Sequence, residues 1–281
     1  MIRRILVPLD SSVYSNKSTE FACRIAKIYD ADVIGLVIID IPGIERSIGP
    51  FPMGGSYYAK QLTEAKIKKA DEKVRNILEE FKSICDGHGV KHREHQRQGI
   101  PSNSILEEAK FFDLLIIGRK THFEFSEELE EGGSFDDILE RSITPVIAVP
   151  EDFDFPKFPR ERFNCLICFD GSYASCRALQ RFAQLPISKF TDVKLLMEHD
   201  EKEYADFHLY EAKAFLRSHL FESVEKIHSR KNIISVVSDE YMDWADLFVL
   251  GAHSKGIFDF MIGSLTSFLI RESNKPIFIG L

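Results

Sequence analysis

The stretch ILVPLDSSVYS, residues 5–15, decides the fold because the chain repeats it. It aligns without a gap with CLICFDGSYAS, residues 165–175. In both copies a run of apolar residues, typical of a buried strand, ends in an aspartate, and small residues follow. Further pairs of segments match in the same order along the chain: 33–40 with 193–200, 113–120 with 246–253, and 142–150 with 273–281. Segments that recur in one order indicate a duplicated domain.

The duplication predicts two domains and a linker. We place the first domain at 1–150, the linker at 151–163 and the second domain at 164–281. The linker contains EDFDFPKFPRER, in which Phe and Pro alternate with charged residues, a composition that disfavours a helix. Each domain then has an ordinary size for a globular unit.

Within each copy, continuous apolar runs alternate with segments of helical periodicity. The longest helix is predicted over 58–85, where apolar residues recur at three- and four-residue spacing. Strands that are apolar throughout need cover on both faces, so this alternation predicts a parallel sheet between two layers of helices. The predicted fold class is α/β, with one doubly wound parallel sheet in each of the two tandem copies.

The overall charge excludes several classes of partner. The net charge is −8 and the isoelectric point is near 5.7, which argues against binding to nucleic acid or to an anionic membrane. No apolar run approaches the ~20 residues that span a bilayer. The apolar run after Arg3 and Arg4 is also too short for a signal peptide. We therefore expect a cytoplasmic protein that binds neither nucleic acid nor membranes.

Neither the cysteines nor the histidines form a recognisable reactive or metal-binding motif. The five cysteines are odd in number and lack a regular framework, which suits a reducing compartment. Cys165 and Cys168 form a CxxC, but residues three apart on a strand face opposite sides of the sheet, so we interpret both as core cysteines. The spacing of Ser, His and Asp indicates no catalytic group. We therefore assign no catalytic residue and no metal ligand.

The aspartate at the end of the first strand of each copy is a candidate ligand contact. In parallel α/β sheets, ligands bind beyond the carboxyl ends of the strands, where Asp10 and Asp170 stand. A carboxylate there can accept hydrogen bonds from a ribose hydroxyl or a base edge. It can equally cap the helix that follows, and the sequence leaves both roles open.

A second candidate contact is the stretch GAHSKGIFDFMIGS, residues 251–264, which follows the apolar run DLFVL. Small residues after a strand let backbone approach a ligand closely. The N–H groups of such a loop, helped by the positive end of the next helix, can surround phosphate oxygens.

These segments together resemble the universal stress protein family, as two tandem copies that cover essentially the whole chain. Its nucleotide-binding members carry G-x-x-G, nine residues and G-[ST] after the fourth strand. Here Gly251 opens the loop, but Ser254 replaces the second glycine. Eight residues, not nine, separate Ser254 from Gly263. In the family, backbone at the end of the second strand meets the adenine, which maps near Met197-Glu198 in the second copy and near Val37-Ile38 in the first. The resemblance implies a nucleotide site at Asp170, Met197, Gly251, His253, Ser254, Lys255, Gly256, Gly263 and Ser264.

The first copy departs further from this pattern. After Gly118 it inserts RKTHFEFSEELEEGGS, with five glutamates that would repel a triphosphate. We therefore expect a degenerate site there. The corresponding residues are Asp10, Ile38, Gly118, Gly132, Gly133 and Ser134.

The resemblance implies a function in stress survival, with bound ATP or AMP, with or without Mg, acting as a regulatory signal. One alternative is an interaction protein of the same fold that binds no nucleotide. Another is a slow ATP hydrolase, so any enzymatic activity is expected to be a weak ATPase at most. The resemblance also implies that the two copies pair about a pseudo-twofold axis, as single-domain members do in their dimers. Further pairing of chains into a homodimer stays open.

Overall fold

The computed structural model describes residues 2–49, 56–119, 133–153, 162–185, 187–252 and 263–281. The chain divides into two compact units, one comprising Arg3–Arg141 and the other comprising Ser142–Leu281 with Met1–Ile2. Among the helices of the described ranges, none is both long enough and apolar enough to cross a membrane.

The unit Arg3–Arg141 is a four-stranded parallel sheet with helices between the strands. The strands lie in the order β3-β2-β1-β4. Its elements are β1 (Arg4–Leu9), α1 (Val13–Tyr29), β2 (Asp32–Ile39), α2 (Ile41–Arg46), α3 (Ser56–His88), β3 (His92–Gln98), α4 (Pro101–Ala109), β4 (Leu114–Gly118) and α5 (Gly133–Arg141).

The unit Ser142–Leu281 repeats this arrangement with two more strands. The order is β5-β10-β9-β6-β7-β8, and every pair is parallel except β5 with β10. Its elements are β5 (Val146–Val149), β6 (Phe163–Cys168), α6 (Tyr173–Ala183), a 3-10 turn (Ser188–Phe190), β7 (Thr191–Glu198), α7 (Lys202–Ser218), β8 (Ser223–Ser229), α8 (Ile233–Val236) with a π-helical turn (Val237–Tyr241), β9 (Leu247–Gly251), α9 (Ser264–Glu272) and β10 (Ile277–Gly280).

The predicted α/β class is confirmed, since β3-β2-β1-β4 and β8-β7-β6-β9 follow the same order within their own units. Helix α3 extends beyond the predicted 58–85 at both ends. The two compact units divide after Arg141, whereas the sequence repeat predicted a boundary at 150. The difference arises because β5 pairs with β10 and so belongs to the second unit. The domain bounds from the repeat stay a prediction. Most of the predicted linker, 154–161, lies outside the described residues.

Helix α6 packs on the second sheet at two glycines. A Cβ on Gly280 would lie 2.2 Å from the Cα of Ala178, and a Cβ on Gly251 would lie 2.6 Å from the carbonyl carbon of Ala174. Such distances are impossible for real side chains, so only glycine allows the helix to lie this close. The contact places the first turn of α6 against the carboxyl end of β9.

The cysteines of the CxxC are core residues, as predicted. Cys165 is fully buried and Cys168 is 8% exposed. Burial raises the pKa of the Cys165 thiol well above its ordinary value and that of Cys168 to about 12. Both thiols are therefore protonated at neutral pH, which makes them poor nucleophiles and poor metal ligands.

Candidate functional site

A cavity of about 370 Å³ opens at the carboxyl ends of β6, β7 and β9, within the unit Ser142–Leu281. Its floor includes the buried residues Cys168, Phe169 and Leu250. Its polar wall comes from three segments: the β6–α6 turn, the residues at the end of β7, and the start of α9. A cavity with an apolar floor and a few convergent polar groups is the usual form of a small-molecule site.

Asp170 and Ser172 form the wall beyond β6. Ser172 is the N-cap of α6, and its Oγ accepts a hydrogen bond from the N–H of Ser175 at 3.2 Å. Asp170 Oδ1 accepts from the N–H of Ser172 at 2.9 Å, and its half-buried side chain lines the cavity. The side chain of Ser172, and not that of Asp170, thus caps α6.

Asp10, the counterpart in the first copy, has a different environment. It is 5% exposed, and its Oδ1 accepts from Ser12 N–H at 3.0 Å, Ser12 Oγ at 2.5 Å and Ser15 Oγ at 2.7 Å. In the second copy the hydroxyl of Ser175 donates instead to the carbonyl of Ser172 at 3.0 Å. The carboxylate of Asp10 therefore stabilises its own turn, whereas the helix cap that the sequence left open as its role is the position of Ser12.

The start of α9 supplies hydrogen-bond donors. Gly263 is the N-cap, without a side-chain cap, and Ser264, Leu265 and Thr266 form the first turn. All four line the cavity. The first N–H groups of a helix have no acceptor within the helix, and the helix dipole adds partial positive charge there. This side of the cavity is therefore suited to an anion.

The end of β7 supplies side-chain acceptors, where the sequence predicted a backbone contact near Met197-Glu198 and missed His199 and Asp200. Met197 is fully buried and is not among the lining residues, whereas Glu198, His199 and Asp200 are. Glu198 Oε2 accepts from the N–H of Ile233, at the start of α8, at 2.7 Å. The available signal was a polar triplet directly after a buried strand, the same pattern that identified Asp170.

Stacked rings connect the end of β7 to the turn after β6. The rings of His199 and Tyr204 stack with centroids 4.3 Å apart, and Tyr204 lies 4.3 Å from His208. A Cβ on Gly171, whose φ is +76°, would lie 3.2 Å from Nδ1 of His208. The Nδ1 of His199 accepts from the N–H of Glu201 at 3.0 Å, which orients the ring. These contacts hold the two turns on either side of the cavity together.

The structure brings together Asp170, Gly251, Gly263 and Ser264. In the first copy, Ile38 is buried within β2, Gly118 ends β4, and Gly133 and Ser134 begin α5. The other predicted site residues lie outside the described residues: Gly132, His253, Ser254, Lys255 and Gly256. In the ranges that are described, no three His, Cys, Asp or Glu side chains come together in a way that could hold a metal ion.

Comparisons with known proteins give one family. Residues 1–150 match the model of the universal stress protein family. A universal stress protein of Methanocaldococcus jannaschii is 30% identical over 124 residues, which span 42% of this chain and 65% of that protein. The match thus spans just under two thirds of the curated relative's length.

Solved structures share the fold over nearly the whole chain. A universal stress protein from Archaeoglobus fulgidus has a TM-score of 0.67 at 17% identity, over 98% of this chain and 97% of that one. A putative universal stress protein from Pseudomonas aeruginosa has a TM-score of 0.57 at 14% identity, over 99% and 92%. A universal stress protein solved in complex with cAMP matches 54% of this chain and 98% of that one, with a TM-score of 0.37 at 19% identity. The bound cAMP is a property of that protein alone.

Proposed function

Since the chain belongs to the universal stress protein family, we propose that its second half binds an adenine nucleotide, ATP or AMP, in the cavity beyond β6, β7 and β9. One observation carries this proposal. Asp170, Gly251, Gly263 and Ser264 come from three separate segments, were selected from the sequence, and line the same cavity. The pairing of β6 with β9 brings Asp170 and Gly251 to one edge of the sheet, and the start of α9 adds hydrogen-bond donors beside them, so acceptors and donors for a nucleotide line one cavity.

The distribution of polar groups supports one orientation of the nucleotide. Carboxylates accept hydrogen bonds, so Asp170, Glu198 and Asp200 suit the hydroxyls of a ribose and the amine of a base. The N–H groups at the start of α9 suit phosphate oxygens. We therefore orient the base and ribose toward β6 and β7 and the phosphates toward α9. The reverse orientation would bring phosphate next to carboxylate, which costs free energy by charge repulsion.

The proposed role is regulatory, in stress survival, with the bound nucleotide as the signal. The cavity holds no nucleophile paired with a base among the side chains that the structure describes, so any hydrolysis of ATP is expected to be slow. Magnesium would then be bound mainly by the phosphates of ATP. A cytoplasmic location, the pseudo-twofold pairing of the copies and a homodimer of chains stay predictions.

The test uses the full chain. Nucleotide released by denaturing freshly purified protein is identified by mass spectrometry, and the emptied protein is titrated with AMP and ATP in a calorimeter. We expect one adenine nucleotide site per chain. Absence of both co-purified nucleotide and measurable heat would reject the proposal in favour of an interaction protein that binds no nucleotide.

A further inference from the structure

The end of β7 brings an anchored carboxylate, that of Glu198, into the lining of the cavity. We propose that Glu198 is a specificity-determining residue whose carboxylate accepts a hydrogen bond from the exocyclic amine of adenine. This inference rests on the proposed nucleotide site and goes further by assigning the group that reads the base.

The carboxylate of Glu198 is held in place by the protein. Its Oε2 accepts the N–H of Ile233 at 2.7 Å, and Glu198 is paired with Ser229 across the β7–β8 ladder. No lysine or arginine of the described ranges forms an ion pair with it, and no hydrogen bond within those ranges involves its Oε1. One oxygen therefore fixes the carboxylate while the other can accept a hydrogen bond from a ligand. A group fixed in advance loses less entropy on binding than a mobile one.

The backbone of His199, the residue after Glu198, already forms hydrogen bonds within the protein. The N–H of His199 donates to the carbonyl of Ser229 at 3.1 Å. The carbonyl of His199 accepts from Nε2 of His228 at 2.8 Å. Both backbone groups of His199 form hydrogen bonds within the protein, and the anchored carboxylate of Glu198 is the side-chain acceptor beside them.

Asp200, the other acid at this end, lacks a comparable anchor. Both acids are exposed, but the carboxylate of Asp200 makes no hydrogen bond or ion pair to any residue that the structure describes. Ile233, by contrast, both anchors Glu198 and lines the cavity with a half-buried apolar side chain. An apolar surface beside a fixed acceptor fits the face and the edge of a purine.

The chemistry of the carboxylate selects the ligand class. An ionised carboxylate accepts hydrogen bonds and cannot donate them. The 6-amino group of adenine is a donor, whereas purine riboside carries only hydrogen at that position. Glu198 should therefore favour AMP over purine riboside 5′-monophosphate, two ligands with the same ribose and phosphate.

Calorimetric titration of the full chain with these two ligands tests the inference. We expect the wild-type protein to prefer AMP by about three- to tenfold, since a hydrogen bond to a charged but solvent-exposed group is of modest strength. In Glu198→Gln the amide oxygen can keep the bond to Ile233, and the amide NH₂ then faces the amine as a second donor. That variant should lose the preference.

Asp200→Asn is the matched control, because it removes the same charge from the same cavity. It should change the affinity for both ligands equally and keep their ratio. Thermal unfolding of each variant identifies a substitution that acts through stability. Glu198→Asp keeps the charge but shortens the side chain, so it tests whether the carboxylate must reach the amine, and it should weaken the preference for AMP.

The outcomes separate this inference from the proposed function. If wild-type protein binds both ligands equally well, or Glu198→Gln keeps the preference for AMP, the nucleotide site stands and the role of Glu198 is overturned. If Glu198→Gln instead abolishes discrimination between AMP and 2′-deoxy-AMP, the carboxylate reads the ribose, which also overturns the inference. If the wild-type protein binds neither ligand, the proposed function fails first.

Discussion

Gly251 lies so close to Ala174 that a Cβ on the glycine would be 2.6 Å from the carbonyl carbon of the alanine and 2.7 Å from the N–H nitrogen of Ser175. The sequence placed this glycine at the opening of a phosphate loop. The structure adds a second reason for it, because β9 ends against the first turn of α6. The absence of a Cβ at Gly251 thus allows both the close packing of α6 on the second sheet and the shape of the cavity.

Gly251→Ala should destabilise the protein even without a ligand. The new methyl group would meet backbone that cannot move aside, and overpacking of this kind costs about 1–3 kcal/mol of unfolding free energy. Chemical denaturation of the nucleotide-free chain measures this loss of unfolding free energy. Gly87→Ala is the control, because a Cβ there would meet nothing within 4 Å and Gly87 lies in α3. Equal stability of the two variants would contradict the packing role of Gly251.

Asp170→Ala and Asp10→Ala should separate binding from stability. Loss of Asp170 removes a carboxylate that lines the cavity, and we expect AMP affinity to fall by about tenfold, as for a hydrogen bond to a charged group. Loss of Asp10 leaves the N–H of Ser12 and two hydroxyls without their acceptor, which should cost about 1–3 kcal/mol of unfolding free energy. Titration and denaturation are run on both variants. Equal losses of affinity would mean that the first copy also binds nucleotide.

Substitutions at the start of α9 test the phosphate end of the cavity. Gly263 has φ −59° and ψ 149°, angles that any residue adopts, so Gly263→Val acts by bulk and not by backbone restriction. It should greatly reduce nucleotide affinity. Ser264→Ala should lower that affinity several-fold, because a hydroxyl hydrogen bond is worth about 0.5–1.5 kcal/mol.

Gly263→Ser is the matched control for these two variants. Serine is a preferred N-cap residue, so this change should preserve or raise the stability of α9 while adding little bulk. A folded Gly263→Val protein with unchanged affinity would show that phosphate does not bind at the start of α9.

The cysteines offer a test that needs no ligand. Burial raises the pKa of Cys168 to about 12 and that of Cys165 well above its ordinary value, so both stay protonated as thiols at pH 8. Iodoacetamide should label the half-buried Cys176 first and should reach the fully buried Cys165 only on unfolding. Mass spectrometry of the alkylated peptides shows the order in which the cysteines are labelled. Rapid labelling of Cys165 in the native protein would contradict its place in the core.

The sequence alone determined the α/β class and indicated the tandem duplication, and it predicted the edge of the sheet where we propose that a nucleotide binds. These features depend on local patterns: apolar runs of strand length, helical spacing, and polar residues directly after a strand. Each pattern is set by a few neighbouring residues, and its repetition along the chain supported the assignment. Helix α2, capped by Asp40 through the N–H of Gly43, carried no comparable pattern and was not predicted.

Only the tertiary structure decided what the two strand-end aspartates do. Asp10 and Asp170 begin nearly the same local sequence, yet Ser15 donates to Asp10 whereas Ser175 donates to the carbonyl of Ser172. Glu198 likewise gained its role from Ile233, which lies 35 residues further along the chain. Hydrogen bonds and close approaches depend on which segments meet in space, and that information is absent from any single stretch of sequence.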